Sequence, residues 1–531
     1  MQFFSGRREF LRFVSDQSIS LSLSPLFLSG LSACSSKPIR GAFEEVKPNR
    51  EDKISLNEGL NFHIIASRGD KINKAGELFG DCNDFTCFHP LSSNEGLLWV
   101  NHESVIPEFI HNRPTDKLSR SINEVVKEQE MVGGSIIHIK NNKGQWSLIK
   151  ESGYNRRLHG RTKIPFSGGH TIQGSRSAVG TLANCAGGYT PWNTFLTSEE
   201  NYDSFYGEAY IKDGKRVIKT KNRHDWFKHF PLPPEHYGWI VEIDPKTGKA
   251  EKQVNLGRAP HEGATVTTTK DNRVVVYMGE DREFGYIYKF VSDGPDFKQG
   301  TLYAANTEKG VWLPLDYNKS KALQKIFNNQ LEVLTYAHQA AEAVGATPQD
   351  RPEDIEVHPK TGHVFVALTK NKQRKNYYGS LLKIVEDQDH DATRFKASTW
   401  VSGSAESEMA CPDNLCFDKY GNLWMTNDIP EKAIGKGPYK NFGNNSLFYI
   451  PMSGPKAGIP VAVASAPIDA EFTGPWFSPD YRTLFLSVQH PGASSRGDLT
   501  KLTSHWPDGP GNLPKSSVIA LQGPLFEKLI P

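Results

Sequence analysis

Six times along this chain a polar pair leads into a short apolar strand, a turn rich in Pro, Asp, Gly or Asn follows, and a second strand ends in polar or acidic residues. The stretches are NDFTCFHPLSSNEGLLWVNHE (83–103), GGHTIQGSRSAVGTLANC (168–185), HEGATVTTTKDNRVVVYMGED (261–281), EDIEVHPKTGHVFVALTK (353–370), DNLCFDKYGNLWMTND (413–428) and TGPWFSPDYRTLFLSVQH (473–490). Apolar runs bounded by such turns form β-hairpins. Strand-like pieces between them, among them SIIHIKNNKGQWSLI, GWIVEIDPKTGKA and SLLKIVED, supply outer strands. Helix is expected chiefly over 320–345, where apolar residues recur at helical spacing.

Repeated antiparallel sheets without crossover helices stack radially, because a ring of blades leaves only short protected edges. The chain is therefore expected to be all-β: a six-bladed β-propeller with long inter-strand insertions and a few helices. A large β-sandwich or two packed barrels is the alternative. In a propeller, equivalent ends of the inner strands converge on one axial mouth, so residues far apart in sequence become neighbours.

The ends and the composition limit what such a ring can do. Residues 6–13, GRREFLRF, precede a serine- and leucine-rich segment from Ile19 to Leu31, the layout of a twin-arginine export signal. Leu31-Ser32-Ala33-Cys34 then reads either as a lipobox, with Cys34 acylated as a membrane tether, or as an ordinary signal-peptidase site. That export route carries proteins already folded, often around a loaded cofactor. Residues 1–34 are read as the signal and 35–531 as a single propeller domain, without a linker or composition break. No other run reaches the 18 apolar residues of a membrane span. With 62 basic and 60 acidic residues there is no global field for nucleic acid, so anions must be caught locally.

The polar pairs before the first strands and the residues after the second strands should meet at one mouth. They are Asn83 and Asp84, His170, His261 and Glu262, Glu353 and Asp354, Asp413 and Asn414, with Asn101, Glu103, Glu199, Glu200, Glu280, Asp281 and Asp428 at the strand exits. Carboxylates crowded together cannot all ionise uncompensated. Hard cations are the remedy, and oxygen-rich ligation suits calcium. Any one of these acids can equally be a turn residue; agreement across the repeats carries the inference.

Arg156 and Arg157 in YNRR, Arg258, Arg282 and Arg351 stand against this cup. Guanidinium forks match phosphate oxygens, though single arginines more often pair with acids. Arg351 is favoured, because Pro352 and the strand from Ile355 fix it beside Glu353. Beyond Cys34 there are five cysteines, and Cys82/Cys87 and Cys411/Cys416 share a C-x4-C spacing. In extended strands such a pair lies roughly 16 Å apart, too far for a local disulfide. Their pairing stays open, and an odd thiol is left over.

Together GRREFLR, YNRR, NCAGGYTPWNTFLTSEE, HEG, GED, RPEDIE and CPDN resemble the PhoX-type alkaline phosphatases, with matches running from the signal to about residue 490. The resemblance implies a propeller carrying about two ferric and about three calcium ions joined by a bridging oxo group. It also implies hydrolysis of phosphomonoesters by a metal-bridged oxygen nucleophile, without a covalent phosphoenzyme. The iron-ligating cysteine would fall on Cys185, with Glu200 and neighbouring Glu199 closing the same block. Further ligands would fall on Glu262 or Glu280 and on Glu353, and the phosphate-contacting arginine on Arg351. Asp84, Glu103, Asp413 and Asp428 are added as ligands by hairpin position. Arg351 and Glu353 are the catalytic candidates; Arg351, Arg157 and Trp192 are the substrate-binding ones, although for Trp192 packing of its loop is the favoured reading.

The expected partners are small phosphomonoesters and the twin-arginine export machinery, with no dedicated nucleic acid. The expected form is a monomer in the periplasm or at the cell surface. Two other functions fit the same cup: a calcium-dependent propeller hydrolase of the lactonase or phytase kind, and a non-catalytic envelope binding propeller. No G-x-S-x-G elbow or serine triad competes.

Overall fold

The strand that opens the ring is stitched to the strand that closes it. In the computed structural model, which describes residues 43–115, 119–220 and 223–528, Asn61–Ser67 pairs antiparallel with Ser517–Gln522, so the chain's first long strand completes its last sheet. The short strand Ser55–Leu56 likewise extends the sheet before it by pairing with Val461–Ser465. Chain ends far apart in sequence thus lock the ring without a covalent link.

Six antiparallel sheets of four or five strands make the blades. Their inner hairpins are Asn83–Pro90 with Glu95–His102, Asn184–Tyr189 with Phe195–Glu199, Thr265–Thr268 with Val274–Gly279, Pro352–Val357 with Val364–Leu368, Pro412–Phe417 with Leu423–Asn427, and Glu471–Phe477 with Thr483–Gln489. This is the six-bladed propeller that the hairpins predict. The described residues form one compact unit. The export signal and Cys34 lie outside the described residues. Among the described residues no helix is long and apolar enough to cross a membrane.

Strand alternation builds the core, because both faces of a blade are buried against neighbours. In the first blade, Leu98 and Val100 pack toward Phe485 and Val518 of the sixth. Leu97 and Trp99 pack the other way, toward Phe195 and Val241 of the second. The fourth blade does the same: Val364 and Val366 join Val275 and Tyr277 of the third, while Phe365 and Ala367 join Leu415 and Met425 of the fifth.

Two local readings are corrected. The second hairpin is not 168–185, since Ser177–Val179 pairs with Lys163–Pro165 in a separate two-stranded ribbon. The blade uses NCAGGYTPWNTFLTSE instead. Gly187 and Gly188 look like loop residues but lie in the inner strand, where a Cβ would come within 2.1 Å of the Leu196 carbonyl oxygen or 2.0 Å of the Ala264 one. Glycine here marks close backbone approach. The single helix expected over 320–345 is three: Lys321–Gln324, Gln330–Thr335 and Ala337–Val344. Ser320 and Asn329 each accept an N-cap hydrogen bond and restart the helix. A further helix, Ile122–Met131, begins with a complete Ser121/Glu124 capping box.

Trp99 is fully buried between two blades and donates its indole N–H to Asn101 Oδ1 at 2.6 Å. Trp99→Ala is expected to cost about 3–5 kcal/mol, measured as a shift in the denaturant midpoint; a loss under about 1 kcal/mol contradicts this inter-blade packing.

Candidate metal centre

Each innermost strand starts with the same local construction. One extra residue sits on the inner strand between Asn83 and Thr86, Asn184 and Gly187, Pro352 and Ile355, Pro412 and Leu415, and Thr473 and Trp476. In the third blade it lies between the His261–Glu280 bridge and the Thr265–Tyr277 pair. Such β-bulges break the ladder and re-aim a side chain. The residue following the first pair is Asp84, Cys185, Glu262, Glu353 or Asp413 in five blades, and Gly474 in the sixth. A carboxylate or thiol is delivered to the axis by each of the five.

A turn two residues earlier sets the approach. Cys82, Ala183, Arg351 and Cys411 adopt left-handed φ values of 42°, 55°, 55° and 52°. The carbonyls at this position accept from the N–H of a residue just beyond the second strand. The pairs are Cys82 with Glu103 (3.0 Å), Ala183 with Glu200 (2.8 Å), Pro260 with Asp281 (3.0 Å), Arg351 with Thr369 (3.1 Å) and Cys411 with Asp428 (2.9 Å). A second ring of four acids, with Thr369 in the fourth blade, is thereby tied to the first. The C-x4-C pairs are a by-product of this repeat: Cys82 and Cys411 hold the turn position, and Cys87 and Cys416 each face a tryptophan across the hairpin. All five described cysteines are free thiols.

At the mouth, Cys185 Sγ lies 3.2 Å from Glu262 Oε1 and 3.4 Å from Asp84 Oδ2. Ligand atoms of Cys185, Glu200 and Glu262 lie within 4.8 Å of one another, and so do those of Glu262, Glu353 and Asp413. Glu262 belongs to both groups. Asn414 donates to Glu262 Oε1 at 3.2 Å, and Gln489 donates to Asp84 at 2.7 Å and to Glu103 at 3.3 Å. Arg351 grips Asp281 through Nε and Nη2 and lies 3.1 Å from Glu353 Oε1. Lys370 donates to the Asp428 backbone carbonyl at 3.1 Å.

Burial, then neighbouring carboxylates, raises Asp84, Glu200, Glu262, Glu353 and Asp413 well above the usual carboxylate range. Burial and Asp428 push Glu471 up to about 8. Asp281 is the exception: burial opposes ionisation, but Arg351 holds it at about 2. His490, although buried, is raised to about 10 by Glu471, 3.0 Å away. Buried Asp84 Oδ1 and Glu471 Oε2 have no hydrogen-bond partner. A set of crowded carboxylates and one thiol, with orphaned oxygens, fits metal cations.

The structure thus brings together Asp84, Glu103, Cys185, Glu200, Glu262, Glu353, Asp413, Asp428 and Arg351. Four expected site residues lie elsewhere. Glu199 sits in the last ladder pair of its hairpin, so alternation turns it away from Glu200, and it is neutralised by Lys252 at 2.6 Å and by the Gly238 and Trp239 N–H groups. Glu280 is displaced by the same parity from Asp281; it accepts from His338 Nδ1 at 2.7 Å and Tyr288 Oη at 2.9 Å. Arg157 is a buried brace that donates to the carbonyls of Gly134, Leu78 and Val132. Trp192 packs on Phe297 and donates to Glu242 on the blade's flank. Lys370 and Gln489 lie within the hairpin stretches but are not among the residues the pattern singles out, and Glu471 falls outside the stretches altogether. In the sixth blade the left-handed turn falls at Asp469 (φ 60°), placing the acid two residues ahead of the stretch read as the hairpin.

Fold and site define a six-bladed propeller built around an axial cup for metal ions. A model of the family described as "Alkaline phosphatase PhoX" matches residues 41–492. The fold matches Pseudomonas fluorescens PhoX, solved in complex with vanadate, a transition state analogue, at TM-score 0.80 and 30% identity over 91% of this chain and 98% of that one. The chain belongs to the PhoX alkaline phosphatase family, and it is an alkaline phosphatase, a phosphoric monoester hydrolase. Two weaker likenesses carry no argument. They are a Dyadobacter fermentans protein of unknown function (TM-score 0.40, 9% identity, 88% of this chain, 100% of that one) and the periplasmic gluconolactonase PpgL of Pseudomonas aeruginosa (0.30, 10%, 67% and 87%). No curated protein sequence matches the chain.

Without cations, the raised carboxylates keep protons in the folded state that the unfolded chain releases near the ordinary range. The stability these groups contribute to the chelated protein is therefore expected to be greatest near pH 4.5 and to fall as pH rises toward about 8, where Glu471 titrates, whereas the Asp281 contribution is lost only as pH falls toward about 2. Added divalent cation should raise the melting temperature most at the alkaline end. A chelated protein whose melting temperature is unchanged across this window contradicts the electrostatics described.

Proposed function

We propose that the axial cup is the active centre of an exported phosphomonoesterase that works with calcium and ferric ions. The donor sets support the two kinds of ion: Cys185, Glu200 and Glu262 combine a thiol with carboxylates, whereas Glu262, Glu353 and Asp413 offer oxygen alone. Thiolate ligation suits a softer transition metal and all-oxygen ligation suits calcium. The ferric and calcium numbers, about two and about three, and the oxo bridge follow the family resemblance. When bound, the ions supply positive charge against the phosphoryl oxygens and activate an oxygen nucleophile.

The chain's own cations bind and orient the ester. Asp281 holds the Arg351 guanidinium from one side, which fixes the plane of its fork and leaves Nη1 for a phosphoryl oxygen. Arg351 is the one cation at this turn position, where the other blades carry Cys82, Ala183, Pro260, Cys411 and, in the sixth, Asp469. Lys370 adds a second positive charge at the exit of the same blade, beside Asp428. The single observation that carries the reading is this pinned guanidinium, 3.1 Å from a carboxylate of the metal-binding cup.

Export by the twin-arginine route to the periplasm or cell surface follows from residues 1–34, and Cys34 would decide between a tethered and a free enzyme. The mature chain, 35–531, would act as a monomer on small phosphomonoesters.

The purified holoprotein should hydrolyse p-nitrophenyl phosphate at alkaline pH, lose activity to a calcium chelator and regain it with calcium. Arg351→Ala should lower kcat/KM by about 100-fold with the fold retained. Activity that survives chelation, or an unchanged Arg351→Ala rate, overturns this assignment of the centre.

A further inference from the structure

Beside the cup lies a feature that the chemistry above does not use. Glu208–Lys212 and Lys215–Lys219 form a two-stranded hairpin inserted in the second blade. Its root is tied to the rim. Glu208 accepts from Tyr202 Oη at 2.5 Å, from Arg258 Nη2 at 2.8 Å and from Arg282 Nη2 at 3.3 Å. Tyr202 lies two residues beyond Glu200, and Arg282 follows Asp281. A cavity of about 40 Å³ opens there, lined by Tyr202, Glu208, Tyr210, Arg258, Arg282 and His338.

Strand pairing divides the hairpin into two faces. Ala209 opposite Ile218 and Ile211 opposite Arg216 form the face nearer the body: Ala209 is buried, Ile211 packs against the core and Arg216 pairs with Glu235, while Ile218 at the outer strand is exposed. The opposite face carries Glu208 with Lys219, Tyr210 with Val217, and Lys212 with Lys215. Lys212, Lys215 and Lys219 are exposed, and none has a carboxylate partner among the described residues. Asp213 is the acid at the tip, and Glu208 at the root is already shared by two arginines. A basic strip therefore runs outward from a cavity next to the phosphoryl site.

The cavity contributes its own donor. Arg282 is about a third exposed, and its Nη1 has no partner among the described residues. At about 40 Å³ the space holds two or three waters. That suits one small tetrahedral or carboxylate anion.

We propose that the hairpin and the Arg282 cavity form a leaving-group subsite that favours phosphomonoesters carrying a second phosphate. The proposal rests on the axial cup being the phosphoryl site. With one phosphate at the cup, the second meets Arg282 in the cavity and the field of Lys212, Lys215 and Lys219. Exposed lysines act at range through a field that salt screens.

Fructose 1,6-bisphosphate and fructose 6-phosphate, with p-nitrophenyl phosphate as a third substrate, test this on the metal-loaded enzyme. The triple variant Lys212→Gln, Lys215→Gln, Lys219→Gln should lose about tenfold in kcat/KM on the bisphosphate, mostly in KM, and less than about twofold on the other two. Arg282→Gln should show the same selective loss. Raising salt from about 0.05 M to about 0.3 M should erode the wild-type preference and leave the triple variant flat. Equal losses on all three substrates, or an unchanged bisphosphate rate in both variants, overturn the subsite while the cup stands. A wild-type holoenzyme inactive on p-nitrophenyl phosphate overturns the cup assignment and the subsite with it.

Discussion

Like charges buried on one axis are the constraint that the rest of the molecule answers. Asp84, Glu200, Glu262, Glu353 and Asp413 come from five blades, and burial together with neighbouring carboxylates makes each of them harder to ionise. Arg351, Lys370 and protonated His490 compensate only part of that charge. Cations in the cup would turn a destabilising crowd into ligands, so that folding and function would share one electrostatic problem.

The scaffold solves the geometric half by repetition. One extra residue at the start of each inner strand aims a side chain at the axis, and a carbonyl two residues earlier holds the backbone of the exit acid. Both devices are backbone hydrogen bonding, which allows the side chain at each position to change from blade to blade. Cys185 replaces a carboxylate, Gly474 leaves the sixth bulge without one, and Arg351 supplies a cation where the other turns carry Cys82, Ala183, Pro260, Cys411 and Asp469. Gly474 cannot be enlarged, since a Cβ there would meet the Phe85 backbone at 2.3 Å. Chemical asymmetry is laid over a nearly sixfold frame.

Much of this was legible in the hairpin pattern, which located five blades and placed Asp84, Glu262, Glu353 and Asp413 at one mouth. What escaped it was parity. Glu199 and Glu200, and Glu280 and Asp281, are adjacent acids, and a shift of one residue along a strand sends a side chain to the opposite face. Only the paired register shows that Glu200 and Asp281 face the axis. The second blade was misplaced because its inner strand carries two glycines that normally punctuate loops. Arg157 illustrates a further limit, since a guanidinium that braces three carbonyls has the same sequence signature as one that waits for phosphate. The 320–345 helix broke because local capping by Asn329 outweighed the apolar periodicity.

The most direct test of the account is a crystal structure of the active holoenzyme with anomalous data collected across the iron edge. It should show an iron site ligated by Cys185 Sγ with Glu200 and Glu262 beside it, and calcium among the oxygen ligands of Glu353 and Asp413. An active enzyme with no iron signal at Cys185, or with its metal ions away from these side chains, would contradict the central claim.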